Sequence, residues 1–245
     1  MNDLTHVDLF SGIGGFAIAA GWAGFRTVAF CEIEPFCQEV LKKHWPDVPV
    51  HDDIRTFKWA GESPTLLTGG FPCQDISVAN TRGTGLSGER SGLWKEMLRI
   101  IGEARPRYAL MENSANLLMR GVDGVLWDLA EVGYDAEWHC IPASYVGAPH
   151  DRDRIWIVAY PQCLGREPRP IIASRIYDGR THGQPCDGGE VCDRPADTWP
   201  PEPAVGRVAY GVPRRVDRIT ALGNAIVPAV AYEIIKAIAE IERSK

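Results

Sequence analysis

Short apolar runs alternate with amphipathic helical patterns over the first 160 residues of this 245-residue chain. This alternation is typical of a mostly parallel sheet with helices on both faces, so the sequence predicts an α/β fold. The predicted strands are Val7–Phe10, Thr27–Cys31, Leu66–Thr68, Tyr108–Met111, Ala136–Ile141 and Ile155–Ala159. The predicted helices lie near Phe16–Ala23, Pro35–His44, Leu93–Glu103 and Val125–Val132.

The composition changes between Pro161 and Pro213, where Pro, Gly, Arg and Asp are frequent and no periodicity is sustained. Loops of this length without structure of their own are uncommon, so we predict a small irregular lobe. Helical spacing returns at Val227, and Pro228 suits the first turn of a helix. We therefore expect a main domain over residues 1–160, a lobe over 161–213, and a C-terminal segment over 214–245 that returns to the main domain.

The net charge of −6 does not by itself indicate a nucleic-acid partner, because phosphate binding usually requires a basic surface. However, the segment from Thr81 to Arg107 holds six Lys and Arg residues against three Glu, so a locally basic face is compatible with the sequence. No apolar run approaches the length of a membrane helix, and the first residues lack a secretion-signal pattern. We expect a cytoplasmic protein whose seven cysteines are mostly free thiols.

A glycine-rich turn follows the first predicted strand, in the segment Asp8–Phe16. Glycines at such a turn let the backbone approach a ligand closely, beside a helix N-terminus that favours anionic groups. Glu32 ends the second strand about twenty residues later, where an acid commonly accepts hydrogen bonds from ribose hydroxyls. Asp53 follows the expected third strand, where a carboxylate can bind an adenine amino group. This order predicts an adenosine-containing cofactor and leaves NAD and S-adenosylmethionine both open.

Cys73 lies directly after the predicted Leu66–Thr68 strand, in the segment Gly69–Ser77. A cysteine at the mouth of an α/β sheet, followed by a Gly- and Arg-rich loop to Gly92, suits a nucleophile beneath a mobile lid. An inert buried thiol is the alternative.

Five segments, in this order, resemble the cytosine-C5 DNA methyltransferase family. The first motif matches Phe10–Gly15, the nucleophile motif matches Pro72-Cys73-Gln74, and the acid motif matches Glu112-Asn113. The Gln-x-Arg-x-Arg motif resembles His150–Arg154, with His150 in place of Gln, and Gly223–Pro228 is similar to the C-terminal motif. Ser114 stands where Val is common after the acid motif. The resemblance covers the chain up to about Tyr160 and again from about Arg215 to Val230.

The resemblance implies a Rossmann-like methyltransferase sheet that binds S-adenosylmethionine, and it implies a role for each matching residue. Cys73 would add to carbon 6 of a flipped-out cytosine, Glu112 would protonate ring N3, and Arg154 with Arg152 would hold the base carbonyl or Glu112. The expected cofactor-binding residues are Asp8, Phe10, Gly12, Gly14, Gly15, Glu32, Ile33, Asp53, Ile54, Pro72, Asn224 and Ala225. The expected substrate-binding residues are Gln74, Ser77, Arg82 and Asn113.

The resemblance also implies partners. Double-stranded DNA is the expected substrate, the enzyme is expected to be a monomer, and a cognate restriction endonuclease, if one exists, would act separately. The 161–213 lobe would be the target-recognition unit, and its small size predicts a short target sequence. Cys163, His182, Cys186 and Cys192 in this lobe fit no standard zinc spacing, so no metal site is predicted.

Three other functions remain open from the residues. A cytosine-C5 methyltransferase acting on transfer RNA would use the same catalytic residues. A non-catalytic DNA-binding relative would not need the Cys73 nucleophile. An NAD-dependent oxidoreductase would leave the Pro72-Cys73-Gln74 and Gly223-Asn224 segments unexplained.

Overall fold

The computed structural model describes residues 3–72, 92–162 and 214–245. Within these ranges seven strands form one sheet: β1 (Thr5–Leu9), β2 (Arg26–Cys31), β3 (Val50–His51), β4 (Leu66–Gly69), β5 (Tyr108–Ser114), β6 (Tyr134–Ile141) and β7 (Arg154–Pro161). The helices are α1 (Gly15–Trp22), α2 (Pro35–His44), α3 (Gly92–Ala104), α4 (Leu117–Arg120), α5 (Val122–Glu131), α6 (Arg215–Asn224) and α7 (Pro228–Arg243), with a 3-10 helix at Ala143–Val146.

The strand order across the sheet is β3-β2-β1-β4-β5-β7-β6. The first five strands in sequence pair in parallel, whereas β7 pairs antiparallel with both β5 and β6. The carboxyl ends of β1 to β5 therefore meet at one edge of the sheet, and β7 begins at that same edge. In open α/β sheets ligands bind outside this edge.

Two apolar clusters cover the two faces of the sheet, because successive strand residues point to opposite sides. On β5, Ala109 and Met111 join a cluster that contains Met97 of α3, whereas Leu110 joins a second cluster that contains Ile234 of α7. The predicted α/β sheet with helices on both faces is thus confirmed. Both β5 and β6 extend past their predicted bounds: β5 continues through the polar Glu112–Ser114 segment, and β6 begins two residues earlier, at Tyr134.

Of the two helices near the C-terminus, the sequence predicted α7 but not α6. The helix expected from Val227 is α7, and its buried face packs against α1 in the second apolar cluster. Helix α6 was not predicted, because Val216, Ile219 and Leu222 are all exposed and no buried stripe marks it. By length and composition the stretch Val216–Arg243 could cross a membrane, with a mean hydropathy of 1.4. Residues 225–227 interrupt this stretch, and its second part, α7, packs on the sheet as a core helix.

Candidate active site

The glycine-rich turn joins β1 to α1 at the carboxyl edge of the sheet. Gly12 has a φ of +53°, a left-handed conformation, and a side chain built there would have no atom within 4 Å. Gly15 is crowded instead, because an added Cβ would lie 2.7 Å from Cγ1 of Ile226, in the turn between α6 and α7. The turn is therefore open at Gly12 and closed by the C-terminal segment at Gly15.

Glu32 follows β2 and lies beside the glycine turn. Its Oε2 accepts a hydrogen bond from the Gly12 N–H at 2.6 Å, and its Oε1 accepts one from the Glu34 N–H at 2.8 Å. Burial raises the pKa of Glu32, and these two backbone donors oppose that rise. Each carboxylate oxygen can accept a further bond, as ribose binding would require. The neighbouring Ile33 is 56% exposed, which leaves an apolar surface open at this end of the edge.

Asp53 and Ile54 follow β3 and differ in what they present to a ligand. The Asp53 carboxylate accepts hydrogen bonds from the backbone N–H and the Nε of Arg55, at 2.9 Å and 3.0 Å. These bonds lower the pKa of Asp53. Ile54 is buried and packs in the first apolar cluster. The structure thus brings Asp53 to the surface of the expected adenine end, whereas the Ile54 side chain lies in the core.

Glu112 lies on β5 and forms an ion pair with Arg154 at the start of β7. Their separation is 3.0 Å between Glu112 Oε1 and Arg154 Nε. The antiparallel register of β5 and β7 brings the two residues to the same end of the sheet. Burial raises the pKa of Glu112, and the guanidinium groups of Arg154 and then Arg152 oppose part of this rise. A carboxylic acid of this kind holds its proton to a higher pH than an exposed glutamate does.

The family motif led us to expect Arg152 beside Arg154, holding Glu112 or the base carbonyl. Among the described residues, Arg152 binds other groups instead. Its guanidinium donates hydrogen bonds to the backbone carbonyls of Gly223, at 3.0 Å, and Ala225, at 2.8 Å. Desolvation, followed by the charge of Arg154, lowers the pKa of Arg152. The two arginines of the motif therefore point to different partners.

One cleft brings together residues from four distant parts of the sequence. It is lined by the glycine turn, by Glu112 and by the segment that links α6 to α7; its residues are Phe10, Ser11, Gly12, Ile13, Gly15, Phe16, Gly70, Glu112, Asn224, Ala225 and Ile226. The predicted donor residues Phe10, Gly12, Gly15, Asn224 and Ala225 thus line the same cleft as the predicted acid. Gly14 is buried, and an added Cβ there would lie 2.6 Å from the ring of Trp45.

Sequence reasoning did not select five of the residues that line the cleft: Ser11, Ile13 and Phe16 in the glycine turn, and Gly70 and Ile226 outside it. Gly70 precedes the Phe71-Pro72 pair, and an added Cβ there would approach Glu112 Oε2 at 3.4 Å. The paired glycines before Phe71 were a signal that could have identified it. Ile226 lies in the Gly223–Pro228 segment that resembles the C-terminal motif, but its contact with Gly15 depends on the fold and leaves no local signal.

Asn113 has a different environment from the predicted one. Its side-chain amide donates a hydrogen bond to the Phe71 carbonyl at 2.9 Å, and its oxygen accepts one from the Ser114 N–H. Phe71 also packs against Trp94, with ring centroids 5.0 Å apart. Asn113 therefore anchors the chain just before the predicted nucleophile. Pro72 is exposed and is the last residue described there, while Cys73, Gln74, Ser77, Arg82, Cys163, His182, Cys186 and Cys192 lie outside the described residues.

The position of Asp8 corrects the prediction that it contacts the cofactor. Its side chain is fully buried and does not line the cleft. Oδ1 accepts a hydrogen bond from the Thr68 hydroxyl at 2.8 Å, and Oδ2 has no hydrogen-bond partner among the described residues. Desolvation raises the pKa of Asp8 well above its usual value. Asp8 is a structural residue of the sheet, and we no longer propose a direct contact with a ligand.

A buried hydrogen-bond chain extends from Asp8 across three strands. Thr68 also bonds to Nε2 of His6 at 2.8 Å, and Nδ1 of His6 bonds to the Thr27 hydroxyl at 2.9 Å. Burial lowers the pKa of His6 to about 3, so its imidazole is neutral at physiological pH. A neutral imidazole donates through one nitrogen and accepts through the other, so both hydroxyls can be satisfied.

The sheet order, the glycine turn and the acid after β2 define a Rossmann-like methyltransferase fold. The fold is similar to the crystal structure of a proposed DNA-modification methyltransferase encoded within a prophage of E. coli. The TM-score is 0.56 at 24% sequence identity, and the match covers 68% of this chain and 49% of that chain. The chain itself belongs to the C-5 cytosine-specific DNA methylase family, whose sequence profile matches residues 4–185. The family predicted from the five motifs is thereby confirmed.

Two relatives show how much of a family member this chain spans. It is 34% identical over 181 residues to the type II methyltransferase M2.BsuMI of Bacillus subtilis, covering 70% of this chain and 45% of that protein. It is 35% identical over 187 residues to the type II methyltransferase M.CviJI of Paramecium bursaria Chlorella virus IL3A, covering 74% and 50%. The match with these relatives thus extends over about half of their length.

Proposed function

We propose that this chain is a DNA cytosine-C5 methyltransferase that transfers a methyl group from S-adenosylmethionine to carbon 5 of a flipped-out cytosine. The observation that carries the proposal is the cleft in which the glycine turn meets the Glu112–Arg154 pair. Family membership and the type II methyltransferases among the relatives support DNA as the substrate. They support a cytoplasmic enzyme in the same way.

The residues at the carboxyl edge fit an S-adenosyl donor. The open turn at Gly12 leaves room for close approach to the backbone, and the Glu32 carboxylate retains acceptor capacity for ribose hydroxyls. The exposed Ile33 offers an apolar surface to a purine ring. When bound, the donor supplies an electrophilic methyl group. Asn224 and Ala225 would adjoin its methionine end, since both line the cleft with the glycine turn.

The reacting base needs activation because carbon 5 of cytosine is a poor nucleophile. The Cys73 thiolate would add to carbon 6, which makes carbon 5 enamine-like, so covalent catalysis divides one difficult step into easier ones. Negative charge then develops toward ring N3, where the buried Glu112 would deliver a proton. Arg154 would orient the Glu112 carboxyl and bind the base carbonyl. Loss of the carbon 5 proton and elimination would release Cys73.

Access to carbons 5 and 6 requires that the base leave the duplex stack, at a cost of about a few kcal/mol. We propose that the segment with Gln74, Ser77 and Arg82 contacts the DNA and the extruded base, as the family resemblance implies. Asn113 would act by holding the Phe71 carbonyl, and with it the approach to Cys73. The 161–213 lobe would recognise the target. We further propose a monomer, which light scattering of the purified protein tests.

The test is transfer of labelled methyl groups from S-adenosylmethionine to duplex DNA and, in parallel, to transfer RNA. We expect labelled 5-methylcytosine in DNA, none with Cys73→Ala, and wild-type transfer with Cys140→Ala, a matched change of another cysteine. DNA with 5-fluorocytosine at a confirmed target should form an adduct on Cys73. Full activity of Cys73→Ala contradicts the mechanism, and transfer to RNA alone contradicts the substrate.

A further inference from the structure

The C-terminal end of helix α6 lies at the candidate donor cleft, although few of its side chains are buried. Ala221 is its only buried residue among those whose side chains the structure describes. Its last residue, Asn224, nevertheless lines the cleft together with Ala225 and Ile226. Packing of Ile226 against Gly15 fixes one side of this turn. A further interaction must fix the backbone of the Asn224–Ile226 turn.

Arg152 supplies that interaction at the C-terminal end of α6. The last carbonyls of a helix lack intrahelical partners, and this end carries the negative pole of the helix dipole. The Gly223 and Ala225 carbonyls both accept hydrogen bonds from Nη2 of Arg152, at 3.0 Å and 2.8 Å. The Ala225 N–H itself bonds to the Ala221 carbonyl. Arg152 thus caps the helix from a different part of the chain.

The backbone at Arg152 directs its side chain away from the partner of Arg154. Arg152 has a φ of +23°, in the left-handed region that side chains other than glycine rarely adopt. Two residues later Arg154 contacts Glu112 through Nε, whereas the Nε of Arg152 is buried without a partner in the ranges that the structure describes. The neighbouring arginines therefore serve two different parts of the cleft.

We propose that Arg152 is a positioning residue for the methyl donor: by binding the Gly223 and Ala225 carbonyls it holds the Asn224–Ile226 turn against Gly15 and so shapes the methionine end of the donor site. This inference rests on the proposed function, because it requires a donor in this cleft. Arg154 acts on the other side, on Glu112 and the base. Loss of Arg152 would weaken donor binding, and loss of Arg154 would slow the chemistry.

The direct test is calorimetric binding of S-adenosylhomocysteine to the full chain without DNA. We expect Arg152→Met to weaken binding about tenfold or more, since two charge-assisted hydrogen bonds are lost. Arg152→Lys keeps the charge, but both bonds come from the terminal Nη2 and the shorter lysine side chain ends before that position, so an intermediate affinity is expected. The matched control Arg154→Met should bind S-adenosylhomocysteine like the wild type.

Two further readouts separate donor positioning from a general structural role. Hydrogen exchange of the ligand-free protein should show faster exchange at the Ala225 amide in Arg152→Lys, with the α3 and α5 amides unchanged. Kinetics should show a raised KM for S-adenosylmethionine in Arg152→Lys, with kcat and the KM for DNA close to wild type. Arg154→Met should show the reverse, a reduced kcat.

The outcomes distinguish this inference from the proposed function. If wild type binds S-adenosylhomocysteine and both Arg152 variants bind it equally well, the positioning role is wrong and the proposed function stands. If Arg152→Met does not fold, Arg152→Lys decides alone. If wild type itself does not bind S-adenosylhomocysteine, the proposed function and this inference both fail.

Discussion

At the scale of single residues, the carboxyl group of Glu112 is subject to two opposing influences. Burial raises its pKa, and the guanidinium groups of Arg154 and Arg152 limit the rise. The net shift is upward, so the protonated form persists to a higher pH than in an exposed glutamate. This balance is suited to an acid that must donate a proton and yet remain paired with Arg154 afterwards.

Glu112→Gln should reduce kcat for methyl transfer by about 10²- to 10⁴-fold, the usual contribution of a general acid. In the wild type, transfer that depends on this proton should fall as pH rises through the raised pKa of Glu112, and the variant should lose that dependence. Rapid-quench assays across pH measure both effects. Glu62→Gln, on an exposed loop, is the control. An unchanged kcat in Glu112→Gln would exclude this acid role.

Asp8 gives a prediction about stability. Its pKa in the folded state lies above the unfolded value because of desolvation, so the protonated form is the one that folding favours. Its contribution to the free energy of unfolding is complete below about pH 4, the ordinary carboxyl range, and is lost as pH rises toward the folded-state pKa. Asp8→Asn cannot ionise and should lack this loss.

Urea unfolding of the wild type and Asp8→Asn between about pH 4 and 8 measures the effect. The stability advantage of the wild type should shrink as pH rises, by up to about 1.4 kcal/mol per pH unit. Parallel stability curves for the two proteins would mean that Asp8 ionises equally in the folded and unfolded states.

Motif similarity predicted which residues lie near the cleft better than it predicted which partners their side chains contact. It located Glu112 and Arg154, whose side chains do meet. It could not foresee that the Asp8 side chain lies inside the sheet, that Asn113 binds a backbone carbonyl, or that Arg152 caps a distant helix. Side-chain direction depends on strand register and on partners far away in sequence, which a local motif does not record.

At the scale of secondary-structure elements, the start of α1 packs tightly against the turn before α7. Gly15→Ala would put a methyl group 2.7 Å from Cγ1 of Ile226, so one of the two must move. Overpacking of this kind costs about 1–3 kcal/mol. We expect weaker binding of S-adenosylhomocysteine, because the turn that moves also lines the cleft.

Ile226→Ala in the same chain should restore part of the binding that Gly15→Ala loses, since it removes the clashing group. The matched control is Gly21→Ala in the same helix, where an added Cβ meets nothing within 4 Å. Calorimetry on the single and double variants measures the coupling. Additive losses in the double variant would show that the clash is not the cause.

The sequence predicted best the strands and helices that are buried on one face or on all sides. Strand β7 contains a continuous apolar run, β4 is buried along its whole length, and α3 has a clear buried stripe, so their patterns could be recognised in the sequence. Helix α6 has no such stripe, because its apolar residues face outward and its end is held by Arg152. An element fixed by capping from elsewhere in the chain leaves little periodic signal.

At the scale of the whole molecule, the lobe that we propose over residues 161–213 would allow only limited sequence recognition. The segment 161–213 offers few side chains to read base edges. We therefore expect a short target sequence. Bisulfite sequencing of DNA methylated to completion would reveal it, and a strictly read site of about six or more bases would contradict the prediction.

Ile226 contacts Gly15, a residue far away in the sequence, and the two form one wall of the cleft. During synthesis the glycine turn leaves the ribosome long before residue 226 does. The sheet strands are therefore synthesised before this wall can form, because so distant a contact closes late in folding. The cleft can therefore form only after residue 226 has been synthesised, and a chain truncated before that residue would contain all seven described strands but lack this wall.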